Sequence, residues 1–185
     1  SFGAYGFYLT AGSGLNFYNN TVNMYGDRDA IGATKPYSIS AAFMINYTPP
    51  TGALNLLDNA FVNTQTAATN AVASYAIYTA DTIATGFANI NYNDYYVSGA
   101  QGVLGFLSTD ITSLAAWSTA TGADTNSIAA DPLFNSNTML IPGVLSPLVS
   151  AGTPITGITT DIMGAARNAT APTIGAYEAG ADLLP

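Results

Sequence analysis

Phe17-Tyr18-Asn19-Asn20-Thr21-Val22, Leu56-Leu57-Asp58-Asn59-Ala60-Phe61 and Ile90-Asn91-Tyr92-Asn93-Asp94-Tyr95 share one pattern. An apolar residue is followed by two residues, an Asn, one further residue and a second apolar residue. Another marker precedes each: Gly6-Phe7-Tyr8-Leu9, Ala42-Phe43-Met44-Ile45 and Tyr75-Ala76-Ile77-Tyr78. Both recur with a period of about 35 residues, the mark of a repeated supersecondary unit. The segments Tyr5–Leu9, Leu15–Met24, Tyr37–Ile45, Leu54–Val62, Ser74–Tyr78, Phe87–Val97 and Val103–Leu107 alternate in polarity and are rich in aromatic and branched residues. That is the strand signal.

The alternation excludes a helical array. Propeller blades need tight hairpins, and the Asn-Gly and Asp-Gly pairs that make them are absent. A β-sandwich with Asn20, Asn59 and Asn93 as ordinary turn residues is the plainer alternative. A parallel β-helix, or β-solenoid, of about 3–4 coils fits better, each coil laying two or three short strands onto the one before. The recurring Asn suits a bend, because it tolerates the left-handed conformation and bonds along its own ladder. The reading is therefore all-β, with coils over 1–107 and the last coil and a C-terminal cap over 108–185. One helix is expected, over Ile111–Thr121, with Leu114 and Trp117 on one face and Gly122 as its stop. Thr66–Ala73 lacks an apolar face and reads as a loop. A solenoid end exposes apolar cross-section and unpaired edges, so the irregular, Pro-rich remainder reads as the cap.

Composition narrows the function. The 185 residues carry three Lys+Arg, eleven Asp+Glu, no His and no Cys, for a formal charge of −8. Charged residues are 8% of the chain, against roughly 25% in ordinary domains. Three cations cannot neutralise a run of phosphates, which argues against nucleic acid. Without His or Cys, zinc, haem, iron–sulfur and copper sites and His- or Cys-based triads are excluded. No apolar stretch is long enough to span a bilayer. The start, Ser1-Phe2-Gly3-Ala4-Tyr5, has no signal-peptide pattern and reads as a processed or internal end of a longer chain. The neutral Thr/Asn/Ser/Tyr-dominated surface points to a secreted, cell-surface setting.

The tail carries Asp131-Pro132-Leu133-Phe134, Ser146-Pro147-Leu148-Val149-Ser150-Ala151-Gly152-Thr153-Pro154, Asp161-Ile162-Met163-Gly164 with Arg167, and Pro172-Thr173-Ile174-Gly175-Ala176-Tyr177-Glu178. In order and spacing this succession resembles the C-terminal part of right-handed parallel β-helix repeat proteins of the pectate-lyase-like superfamily, in their large secreted versions. Thr173 and Ser150 stand where Asp is common in that pattern. The resemblance implies a right-handed solenoid whose cap includes Asp131, Pro132, Phe134, Asp161, Arg167, Tyr177 and Glu178, with Arg167 paired to Asp161 or Glu178. It implies little about activity, since the family spans polysaccharide lyases, glycosidases, adhesins and structural proteins.

Catalysis on that fold needs a Lys or Arg base beside calcium carboxylates, or clustered Asp. Here the only bases are Arg28, Lys35 and Arg167. Arg28 lies in the polar stretch Gly26-Asp27-Arg28-Asp29 and reads as a solvated turn; Lys35 before Pro36 reads as a loop charge. Asp58 and Asp94 flank the repeating Asn at different offsets, so they do not form a pair on one face. No enzyme is expected. No cofactor is expected either, calcium being the one possibility considered, at Asp27 and Asp29 or at Asp124-Thr125-Asn126 with Asp131. Tyr92, Tyr95 and Tyr96 suggest a sugar-stacking strip, although alternation turns some of them inward. Asn19 and Asn168 are glycosylation candidates; the acceptor at Asn46 is followed by Pro49.

The remaining expectation concerns assembly. Phe2, Tyr5 and Phe7 open a strand at once, leaving a first coil with an open edge and apolar interior. Either upstream coils of the same precursor or another copy docks there. Head-to-tail stacking would be a non-closing contact and generate a surface filament. The scarcity of Lys, the usual edge protector, agrees with this. A self-associating structural or adhesive module is thus expected, with a carbohydrate-binding or polysaccharide-degrading module as the alternative.

Overall fold

A computed structural model describes residues 2–28, 37–67 and 72–179. It is mostly β, with three sheets of parallel strands and one short helix. The strands are β1 (Phe2–Leu9), β2 (Leu15–Tyr18), β3 (Thr21–Met24), β4 (Tyr37–Ile45), β5 (Leu54–Leu57), β6 (Ala60–Asn63), β7 (Ser74–Thr79), β8 (Phe87–Asn91), β9 (Asp94–Val97), β10 (Gly102–Leu107) and β11 (Thr109–Ile111); α1 is Leu114–Thr121. One sheet runs β1-β4-β7-β10-β11, the second β2-β5-β8 and the third β3-β6-β9. The chain therefore visits the three sheets in turn, and every circuit lies on the one before it. All pairings are parallel except β10 with β11.

The markers of the repeat are the registered positions. Phe7 pairs with Phe43, Phe43 with Ile77 and Ile77 with Gly105. Phe17, Leu56 and Ile90 form a second column, and Val22, Phe61 and Tyr95 a third. These columns meet in a single core. Strict alternation breaks once per circuit in the first sheet. Ala42-Phe43 and Ala76-Ile77 both enter that core, whereas Ala41, Met44, Tyr75 and Tyr78 gather in a separate outer cluster.

Segments expected as single strands over Leu15–Met24, Leu54–Val62 and Phe87–Val97 are each split at a corner. At the corner Asn19, Asp58 and Tyr92 take the left-handed conformation, with φ of 55°, 58° and 55°. The repeating Asn is the residue after it, and its side chain makes the ladder. The Asn59 Oδ1 accepts from the Asn20 backbone N at 3.0 Å and Nδ2 at 2.9 Å. Asn93 Oδ1 accepts the same two bonds from Asn59, at 3.0 and 2.9 Å. The Asn93 backbone N donates to Ser127 Oγ at 2.8 Å, so a serine ends the ladder. Each Asn thus satisfies backbone groups that the corner would otherwise leave unpaired and buried.

The two ends of the stack differ. β11 turns back antiparallel on β10, and α1 lays Trp117, fully buried, over the last circuit. Ser113 caps the helix start and Gly122, left-handed at φ 67°, ends it as expected. The helix begins three residues later than the expected Ile111, because Thr109–Ile111 is claimed by β11. Gly105 makes room for the ring: a Cβ there would lie 2.7 Å from Trp117 Cε3. At the other end β1, β2 and β3 are edge strands. Their inward residues Leu15, Phe17, Val22 and Met24 are half-buried, whereas Leu54, Leu56 and Phe61 one circuit on are fully buried.

The expected cap over the Pro-rich tail takes a different path. Ile128 extends the third sheet past β9 through a parallel bridge to Asp94. From there residues 131–179 return along the side of the stack toward its first circuit. Asn137 O accepts from Asn23 Nδ2, Thr153 N donates to Asp58 and Ala176 N donates to Thr21 Oγ1. Leu148 and Ile174 pack on Ala60 from outside. Within the expected cap over 108–185 it is the helix α1 that covers the last circuit, while the Pro-rich tail runs along the side of the stack. The expected loop over Thr66–Ala73 lies partly outside the described residues; Thr66 bridges Asp27.

Candidate functional site

Three places are expected to carry function, and the first is the edge of the first circuit. Phe7 enters the cross-section, packing on Phe17 and Phe43 with ring centroids 5.3 and 5.5 Å apart. Tyr5 lies instead on the outer face, 4.8 Å from Tyr8; for Phe2 only the backbone is described. Sequence reasoning missed Leu15, Phe17, Val22 and Met24 as the other members of this face. The column alignment of Phe17 and Val22 was the signal that could have found two of them.

The second place is the return segment. Asp131 Oδ1 caps the Leu133 amide at 3.0 Å, and Pro132 O accepts from Ser146 Oγ at 2.6 Å. Phe134 bridges Pro142 and packs near Ala60, Leu148 and Ile174. Asp161 collects the Met163 and Ala165 amides at Oδ1 and the Glu178 amide at Oδ2. Arg167 Nη1 lies 3.6 Å from Glu178 Oε2, and its two terminal nitrogens donate to Thr173 O and Gly175 O. Burial holds the Arg167 guanidinium below its usual value, against the pull of Glu178, Asp161 and Asp58. Tyr177, with Met163 and Glu178, lines a small surface pocket. Apart from Asp131, which also meets Tyr96 of β9, the hydrogen bonds named here lie within the segment.

The third place is acidic. Asp27 is exposed, and Asp29 lies outside the described residues, as does Lys35. Arg28 is a correction: it is buried rather than solvated, and its Nη2 donates to Val72 O at 2.8 Å and Ser74 Oγ at 2.9 Å. Asp124 does not join Asp131. Its carboxylate accepts from Tyr95 Oη at 2.6 Å, Trp117 Nε1 at 2.8 Å and Ser127 Oγ, fastening α1 to the third sheet. Asp131 instead meets Tyr96 Oη at 3.3 Å. No group of three metal-ligating side chains gathers among the described residues.

The sugar-stacking strip is also rearranged. Tyr95 is core, Tyr92 occupies a corner and Tyr96 lies outward on the third sheet against Asp131, while further outward rings gather on the first sheet. There Tyr78 stacks on Phe106 at 4.5 Å and 8°, beside Tyr75, whose hydroxyl donates to Asp110 at 2.7 Å. For glycosylation, Asn19 has its side-chain amide enclosed, and the folded chain does not present it. Asn168 is exposed, its Oδ1 accepting from Thr170 N and Oγ1 at 3.0 Å.

Three buried carboxyls join the sheets to the elements packed on them. Burial pushes Asp58 up to about 7 against the Thr153 amide and the Arg167 charge. It raises Asp94 against the Ala130 amide, and Asp124 against its three donors. Each therefore binds its proton more tightly folded than unfolded. Their contribution is greatest in acid and declines as pH rises from about 4 through the folded value. For Asp58 that window is about 4 to 7, which makes the chain about 3 kcal/mol more stable at pH 5 than at pH 8 from this group alone. Asp94 and Asp124 act in the same direction. Urea unfolding at the two pH values checks this, and stability that is flat or rises toward pH 8 refutes it.

No family model, curated protein or solved structure matches this chain. No helix among the described residues is long and apolar enough to cross a membrane.

Proposed function

We propose that the chain is a right-handed parallel β-solenoid serving as an extracellular structural module that associates with a second copy through its first circuit. The carrying observation is that face. β1, β2 and β3 present three unpaired edges among the described residues, around the half-buried Phe7, Phe17 and Val22. The solenoid reading rests on sheets whose strands follow chain order, and its hand on the strong bias of parallel crossovers. The secreted setting rests on the uncharged, Thr/Asn/Tyr-rich composition.

Head-to-tail stacking would set the first circuit against an end partly covered by α1, which offers no ladder to pair with there. Two first circuits meeting face to face pair edge with edge, antiparallel, around a two-fold axis, and close as a dimer. The strands β1, β2 and β3 themselves carry no Lys or Arg to obstruct it. Sedimentation velocity of the purified chain tests this: a dimer at micromolar concentration is expected. Val22→Lys, whose ammonium can reach water from a half-buried site, is expected to return it to monomer with an unchanged circular dichroism spectrum. A monomer at every concentration overturns the reading and leaves the face to further coils of a longer protein.

A second reading arises from an open groove of about 570 Å³ between the third sheet and the return segment. It is lined by Asn23, Thr64, Tyr96, Asp131 and Ser136, groups suited to a neutral glycan. Glycan binding that displaces the Tyr96–Asp131 contact would favour it over the structural role.

A further inference from the structure

Asp58 occupies the corner of the second circuit with its side chain turned toward the return segment. The carboxylate accepts the Thr153 amide, at 2.9 Å to Oδ1 and 3.2 Å to Oδ2, and its own carbonyl accepts the Gly175 amide at 2.8 Å. One residue therefore holds two separate passes of the segment. Gly152 comes so close that a Cβ there would lie 3.1 Å from the Asp58 carboxyl carbon. The remaining polar attachment nearby is the Ala176 amide on Thr21 Oγ1 at 2.8 Å, and the apolar one is Leu148 and Ile174 on Ala60.

Nothing else binds this stretch to the sheets in the manner of a strand. Residues 146–179 contain one antiparallel bridge of their own, Thr160 with Ala166, and share no strand pairing with the three sheets among the described residues. A segment with few buried apolar contacts and no ladder is the kind that opens locally while the body stays folded. Its attachment, moreover, passes through a group that can lose a proton inside the protein. The groups facing Asp58 from the segment are Arg167 and Glu178, with Asp161 acting on Arg167. From the body side stands Asn19, which is neutral. Arg167 is already committed to Glu178, Thr173 O and Gly175 O. Its charge is thus shared with a carboxylate of the segment and offsets only part of what ionising Asp58 costs.

We propose that residues 146–179 form a proton-controlled strap: ionisation of Asp58 releases the segment from the corner as a unit, while the three sheets remain folded. The protonated carboxyl sits in its enclosed site without charge. The carboxylate is better solvated once Thr153 and Gly175 move away and water reaches it. Opening uncovers Ala60, Thr21 and the outer face of the third sheet, and it does so in base rather than acid. Release of the strap does not depend on whether the chain pairs with a second copy.

Amide hydrogen exchange on the full chain, read by NMR and corrected for intrinsic exchange chemistry, tests the strap. With Asp58 titrating near 7 when enclosed and near 4 when exposed, the opening constant read at Thr153 and Gly175 should rise about 100-fold from pH 5 to pH 8. Phe43 and Ile77 amides should stay more protected at every pH. Asp58→Asn keeps an acceptor for Thr153 but cannot ionise, and should flatten the rise at those two amides. The carboxyl carbon of Asp58 in the unaltered chain provides an independent readout, with a midpoint near 7 expected. A midpoint near 4, an unchanged profile in Asp58→Asn, or strap and core amides opening with one common constant would each overturn the proposal.

Discussion

Asn59→Ala is expected to lower the unfolding free energy by about 4 kcal/mol, more than deletion of most single core side chains of that size. Asn59 is fully buried between two like residues. Its Oδ1 accepts twice from Asn20, and its Nδ2 donates to Phe17 O at 2.8 Å and Asn93 Oδ1 at 2.9 Å. Truncation leaves the Asn20 amide, the Phe17 carbonyl and one face of Asn93 without partners in a closed corner, and each such orphan costs about 1–3 kcal/mol. Asn59→Asp keeps the acceptor but loses both donated bonds and buries a charge, so it should be no better. Denaturant unfolding of the two variants checks the claim; a loss below about 1 kcal/mol for Asn59→Ala would show that the ladder carries little weight.

Trp117→Ala should cost a similar amount, about 4–5 kcal/mol, for a different reason. The ring fills the space that Gly105 leaves at the end of the Phe7–Phe43–Ile77 column, and packs 6.0 Å from Tyr95. Its removal opens a cavity over the last circuit and leaves Asp124 with one donor fewer. Trp117→Phe isolates the second effect: it retains most of the apolar volume and loses only the bond to Asp124, so its cost should be about half. Equal costs for the two variants would place the energy in the hydrogen bond rather than in the packing.

The repeat was legible because it is written in side chains that contact their own equivalents. Phe7, Phe43 and Ile77 align in sequence as they pair in space, and so do Asn20, Asn59 and Asn93. Ser127 is hidden as the last rung because only its hydroxyl, not its residue type, continues the ladder. The recurring Asn marks the corner in sequence, but the left-handed residue falls one position earlier, where Tyr92 gives no compositional hint of it. Arg28 looks solvated from its polar neighbours, yet its partners Val72 and Ser74 lie 44 and 46 residues away. The course of the return segment is invisible for the same reason. Thr153 meets Asp58 across 95 residues, and local Pro-rich composition says where a chain is irregular, not where it goes. Asp124 reads as a metal ligand among its polar neighbours, whereas its partners Tyr95 and Trp117 are side chains whose polar ends declare themselves only when buried.

The ladder steps are 39 residues from Asn20 to Asn59 and 34 from Asn59 to Asn93, yet the side-chain bonds at the two steps are the same. One corner per circuit acts as a fixed post, and the length of chain strung between posts is free to differ. Loop length adds only slowly to closure entropy. Insertions between posts should therefore be absorbed where they occur, without altering the pairing above or below, and a chain built this way can lengthen or vary its outer loops one circuit at a time.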